Sequence, residues 1–150
     1  MEYHALAAIV MNNLREQHHW DFLELIPETG DGPNSVSGKP RVPRPLVRGL
    51  PPRLLYLHPD DQKAALAVDG RAGPPELPCV EWVLPLHIAE SCSVRGFASV
   101  FDAITPPSPS PSLSGLVKNN NKRILLAIVH PDSSVVYYIM HDGMVKPRQN

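Results

Sequence analysis

Two β-rich runs near the C-terminus limit the folds open to this chain more than anything else in it. Residues 123–130 read RILLAIVH and residues 135–141 read VVYYIMH, with Pro131, Asp132, Ser133 and Ser134 between them. β-Branched and aromatic residues on either side of a short Pro/Asp/Ser segment spell an antiparallel hairpin with a four-residue turn. Neither strand alternates with polar residues. Ile124, Leu126 and Ile128 fall on one side of the first strand, and Leu125, Ala127 and Val129 on the other. In the second, Val135, Tyr137 and Ile139 oppose Val136, Tyr138 and Met140. A strand in a sheet wetted on one face keeps that face polar. This hairpin needs cover on both faces, and helices from so short a chain are hard pressed to give it. A second subunit is expected to supply the rest.

The chain has 150 residues and a mass of 16.5 kDa, room for one domain. Eighteen residues are proline, against a usual share of about 5%. Seven lie between Pro27 and Pro52 and four between Pro106 and Pro111. The expectation is a single domain over 1–150 with flexible insertions at 27–52 and 105–115. Fourteen basic against fifteen acidic residues leave a net charge of -1, which speaks against a strongly basic nucleic-acid binder. Apolar runs such as Ile124 to Val129 are far short of a membrane span of about 20 residues. No signal peptide is expected from the N-terminus. Two cysteines, Cys79 and Cys92, make no disulfide framework and fit a reducing, intracellular compartment.

Residues 3–17 place Tyr3, Leu6, Ala7, Val10 and Leu14 on one helical stripe. Residues 20–26 alternate weakly, with Trp20 and Phe22 against Leu23 and Leu25, and predict a short strand. Residues 27–52 read as a mobile surface loop, in which Lys39, Arg41, Arg44, Arg48 and Arg53 are either solvated or phosphate contacts. A strand over 53–57, a short helix over 59–68 and a turn-rich stretch to Pro78 follow. Residues 79–86 (CVEWVLPL) predict a strand that Pro85 either pushes to an edge or ends early. Ser91 or Ser93 can cap a helix to about Ile104, with Val94, Phe97, Ala98 and Phe101 on its apolar face. The fold class is α/β (α+β), a small mixed sheet flanked by helices.

The chemistry-bearing residues make no familiar constellation. The seven histidines show no HxxxH or HExxH spacing and no Cys-x-x-Cys partner, so no metal and no cofactor are expected. His-Pro-Asp occurs at 58–60 and 130–132, where Pro and Asp serve as turn residues. Lys118, Lys122 and Arg123 form a small basic patch before the hairpin. It is either a solvated strand entry or a phosphate site.

Residues 125–138 (LLAIVHPDSSVVYY), followed by His141-Asp142-Gly143 and the tail Lys146-Pro147-Arg148-Gln149-Asn150, resemble the C-terminal hairpin of the tRNA-splicing endonuclease family. The resemblance is to the small, non-catalytic "fifteen" subunit of the eukaryotic complex, and the proline-rich insertions look fungal. Residues 3–20, a helix ending just before Trp20, and Val83-Leu84-Pro85 followed by a helix are similar to the same subunit. The match covers about two thirds of the chain. The fold it implies is that of the tRNA-intron endonuclease C-terminal domain.

Catalytic subunits of that family cut RNA with Tyr, His and Lys as general acid–base partners. Lys122 stands where the family's Lys does. The stretch Glu76-Leu77-Pro78-Cys79 has no His where one belongs, and no segment carries the Tyr. The resemblance therefore implies a structural subunit. It would pair through its hairpin with a catalytic subunit, in a complex of two catalytic and two structural chains that acts on pre-tRNA in the nucleus, the cytoplasm or mitochondrial surface being the alternative. The expected contact residues are Val135, Val136, Tyr137, Tyr138 and Ile139. Asp132 and Asp142 are the candidates for an acidic docking loop, and the free chain is expected to pair with itself. Two rival readings stay open: an RNA-cleaving subunit using Lys122 with His87 or His130, and a stand-alone RNA-binding module.

Overall fold

A computed structural model describes residues 2–29, 41–53, 55, 79–104 and 123–142. The elements are α1 (Tyr3–Glu16), β1 (Asp21–Ile26), β2 (Leu46–Leu50), β3 (Glu81–His87), α2 (Val94–Ala103), β4 (Arg123–Val129) and β5 (Val135–His141). The strands form one sheet in the order β1-β2-β3-β4-β5. β1–β2, β2–β3 and β4–β5 pair antiparallel, and β3–β4 pairs parallel. A parallel pair needs a crossover connection, and α2 lies in it. The result is the mixed sheet with helices that the hydrophobic pattern predicts, the hairpin lying beside the 79–86 strand as expected.

The sheet has a separate apolar cluster on each face. α1 lays Leu6, Ala7, Val10 and Leu14 on Val47, Val83, Leu125, Ala127 and Val129. α2 and its end bring Val100, Phe101 and Ile104 to Leu46, Trp82, Leu84, Leu86 and Ile124 on the other face. Alternate residues of β3 and β4 thus serve opposite cores, which is why both strands are apolar throughout. Each fully buried side chain of this size stabilises the fold by about 1.5–3 kcal/mol. α2 starts at Ser93, whose Oγ accepts a hydrogen bond from the Gly96 amide at 3.1 Å, the capping arrangement expected of a serine there.

Three expectations need correction. The first is the loop over 27–52, because its last part is β2. Leu46 and Val47 are fully buried; both pair with β1, and Val47 also pairs with β3. Pro45 and Pro51, themselves buried, bracket the strand, where their missing amides interrupt no ladder. The second is the edge position of β3. It is central, paired with β2 at Glu81, Trp82 and Val83 and with β4 from Val83 to His87. Pro85 is tolerated because the β2 pairing has already ended, and its carbonyl accepts from Arg44 NH2 at 2.8 Å.

The third correction concerns β1. Its pairing jumps from Asp21–Leu50 to Glu24–Arg48, a bulge with Phe22 at φ 53°. The extra residue puts Trp20 and Leu23 on the α1 side together, whereas unbroken alternation would have grouped Trp20 with Phe22. Gly49 sits opposite, where an added Cβ would lie 2.7 Å from Leu23 Cδ2 and 3.1 Å from Trp20 Cε3. Arg53 and Leu55 belong to no strand. The rest of the expected strand over 53–57, the helix over 59–68, residues 30–40 and the 105–115 linker lie outside the described residues.

Candidate functional site

The hairpin contains one packed strand and one half-covered strand. In β4 only Leu126 and Ile128 fall short of full burial. In β5 the two faces differ. Val135 and Tyr137 turn toward α1 and pack on its cluster. The Tyr137 hydroxyl donates to Asn13 Oδ1 at 2.5 Å, and the His18 ring meets the tyrosine ring edge-on at 5.2 Å. Burial pushes the Tyr137 phenol above its ordinary range. On the α2 side, Met140 reaches the second cluster, while Val136 and Tyr138 remain 40% and 56% exposed. Ile139 is 39% exposed.

The cause is a shortfall of cover. The register sets Leu86, Ile128 and Val136 in one cross-strand row and Leu84, Leu126 and Tyr138 in the next. α2 covers the β3 end of both rows and stops before β5. Beyond Tyr138 lies the outer edge of β5, which pairs with no strand among the described residues. An apolar strip beside an open strand edge can bury side chains and add a strand in the same contact.

The two candidate docking carboxylates lie at opposite ends of β5. Asp132 builds the turn, accepting from the Ser134 amide at 3.0 Å and the Ser134 hydroxyl at 2.6 Å. Those bonds hold its carboxyl below the usual range, and Ser133 completes the turn at φ 68°. Asp142 follows the strand, exposed. The seven residues of β5, roughly 23 Å at about 3.3 Å each, separate them.

At the other end of the parallel pair is a cluster that sequence reasoning missed. Glu81 opens β3 and is 2% exposed; Arg123 opens β4. Arg123 Nε donates to both Glu81 carboxylate oxygens, at 3.1 and 3.2 Å, and Arg123 NH2 also bonds Oε1. Cys79 Sγ lies 3.3 Å from Glu81 Oε1 and 3.4 Å from Arg123 NH2. Burial, and then the Glu81 carboxylate, push the Cys79 thiol up to about 12, so it is no thiolate nucleophile at neutral pH. His87 and His130 stand at the opposite end of β4 from Arg123. The His87 Nδ1 accepts from the Ala89 amide. Lys118 and Lys122 lie outside the described residues.

Two arginines of the proline-rich stretch, Arg44 and Arg48, are engaged within the chain. Arg44 binds Glu90 and lies 4.1 Å from the centre of the Tyr3 ring. Arg48 binds Glu24 and packs over Trp82. Among the described residues no group of His, Cys, Asp and Glu is placed to hold a metal ion, and no helix is long and apolar enough to cross a membrane.

Three relatives share this sequence pattern. A probable tRNA-splicing endonuclease subunit tsp-1 of Neurospora crassa is 41% identical over 97% of the chain and 66% of its own length. A probable tRNA-splicing endonuclease subunit sen15 of Schizosaccharomyces pombe is 36% identical over 47% of the chain and 50% of its own length. A tRNA-splicing endonuclease subunit SEN15 of Eremothecium gossypii is 26% identical over 97% of the chain and 91% of its own length. The chain thus spans about two thirds of the first relative and half of the second. The family model described as Sen15 protein matches residues 9–150, which takes in every strand of the sheet and all of α2, and on that match the chain belongs to the Sen15 family.

Proposed function

We propose that this chain is a structural, non-catalytic subunit of a tRNA-splicing endonuclease, the complex that cuts pre-tRNA at its splice sites, and that it pairs with a catalytic subunit through β5. The observation that carries the reading is the exposed strip of Val136 and Tyr138 beside an unpaired strand edge. Ile139, Asp132 and Asp142 are also exposed. Val135 and Tyr137 serve the α1 core and support the strand from within.

The non-catalytic part rests on the start of β3 and β4. The resemblance puts a catalytic His and Lys in that neighbourhood, and here Glu81 and Arg123 neutralise each other in a buried pair. The two side chains are turned toward each other within the sheet rather than toward a substrate. The histidines of the rival enzyme reading, His87 and His130, are at the far end of β4. The assembly is a complex of two catalytic and two structural chains, and this chain meets pre-tRNA through that complex, in the nucleus.

The test uses the chain co-expressed with the catalytic subunit of its own source. Tyr138→Lys is expected to stay folded by circular dichroism and to lose the catalytic subunit. Tyr137→Lys is expected to unfold, since it buries a charge under α1. The free chain should leave an intron-containing pre-tRNA intact, and Lys122→Ala should change the assembled complex's cleavage by only a few fold. A folded Tyr138→Lys that keeps its partner ends the interface reading. A loss of more than about 10²-fold from Lys122→Ala, the size of a missing acid or base, ends the non-catalytic one.

A further inference from the structure

α2 leaves one flank of its apolar stripe uncovered. Val94 and Ala98 share that stripe with Phe97 and Phe101, yet Val94 is 87% exposed and Ala98 is exposed as well. The opposite flank faces β2, since Gly96 and Val100 line a cavity together with Pro43 and Arg44, which lead into that strand. At about 100° per residue, Val94 and Ala98 lie away from Gly96, on the side of β4 and β5. There the sheet is open. Leu126 and Ile128 are half-buried, and Val136 and Tyr138 are exposed. The flank and the two strands make an apolar shelf with a floor and one wall.

The dimensions of the shelf fit a helix. α2 is centred on β3, because the buried side chains beneath it are Trp82, Leu84 and Leu86, flanked by Leu46 of β2 and Ile124 of β4. Two strand spacings, about 9–10 Å, separate β3 from β5. Helices pack side by side at about 8–10 Å. A second helix set against Val94 and Ala98 therefore comes to lie over β5. A second sheet stacked on the same face would collide with α2, and a lone strand would leave the wall untouched.

The sheet edge decides the occupant. A helix is about 10 Å wide, so one seated over β5 overhangs the sheet by half its width. Its outer half gains a floor only when a strand is added to β5, about 4.8 Å further out. A helix arriving alone would keep that half of its apolar stripe in water. The partner that adds the strand is the one fitted to bring the helix. We propose that the catalytic subunit, besides pairing with β5, seats an amphipathic helix on this shelf against Val94 and Ala98, across the seam between β5 and its own strand. The proposal rests on the reading of β5 as the docking edge and extends the contact from the strand to α2.

The experiment labels thiols with a maleimide in the free chain and in its complex with the co-expressed catalytic subunit, with the sites mapped by mass spectrometry. The reporter is the thiol introduced by Ala98→Cys. Cys92 is exposed and lines the cavity on the β2 flank, which makes it an internal control, and Cys79 is buried. In the free chain, diluted to monomer, the reporter and Cys92 should both label readily. In the complex the reporter should slow by about 10-fold or more, since labelling follows access, while Cys92 keeps its rate. Val94→Lys should leave the melting temperature of the free chain unchanged and weaken binding of the catalytic subunit by on the order of 10-fold, because the contact then buries an unpaired charge. Equal reporter labelling in the two states would overturn the proposal. So would a reporter already protected in the free chain, which would assign the shelf to the chain's own residues. Tyr138→Lys separates the two readings. If it releases the catalytic subunit while the reporter labels equally in both states, β5 stands and the shelf falls; if it keeps the subunit, the β5 reading ends and the shelf with it.

Discussion

Tyr137 and Tyr138 are neighbours in sequence and differ in almost everything else. One is tied to Asn13 beneath α1; the other is more than half exposed. Tyr137→Phe removes one part-buried hydrogen bond and should lower stability by about 0.5–1.5 kcal/mol, measured by urea unfolding. Both Tyr137 and Cys79 have their pKa raised by folding. A raised acid group contributes fully below its unfolded pKa and loses that contribution as pH climbs toward its folded one. Stability should therefore fall as pH rises from 9 toward 12, and Cys79→Ala should make that fall shallower in alkaline denaturation curves. Breaking the buried pair with Glu81→Gln removes the carboxylate that faces the Arg123 charge and should cost about 3–5 kcal/mol, whereas Glu81→Leu with Arg123→Met should recover most of the loss. This pair was not legible in the sequence. Its members are 42 residues apart, and only the parallel register of β3 and β4 brings two strand-opening residues side by side.

The elements divide by how strongly their pattern outweighs their composition. α1, α2 and the hairpin were legible because their apolar residues recur at helix or strand spacing over ten or more positions. β2 was not. Five residues, Leu46–Leu50, sit among prolines and arginines, and their burial comes from neighbours on both sides rather than from their own propensity. Pro85 misled for a related reason. A proline bars a ladder bond only where a partner strand is present, and β2 ends before it. The β1 bulge was equally hidden, since its register depends on Gly49 across the pair. Gly49→Ala should clash with Leu23 and Trp20 and lower the melting temperature, with a cost of about 1–3 kcal/mol. The candidate interface was half legible. That the hairpin lacked cover followed from its two apolar faces; that the uncovered side is the one with Val136 and Tyr138 depended on where α2 ends.

The sheet as assembled has two unlike edges. The β1 edge is bulged and tipped by an exposed Phe22; the β5 edge is regular and apolar. A regular apolar edge left open favours adding a strand from a copy of itself or from a partner. Dilution of the free chain should accordingly separate a self-associated form, and Tyr138→Lys should shift that equilibrium to monomer in analytical ultracentrifugation. The claim that a catalytic subunit docks on β5 is tested most directly by hydrogen exchange across residues 134–141, comparing the isolated chain at dilutions where it is monomeric with the complex it forms. The amides of β5 that do not bond to β4 should exchange fast in the monomer and become strongly protected in the complex, while those of β4 change little. Equal exchange at 134–141 in the two states, with protection gained elsewhere on the chain, would contradict the account.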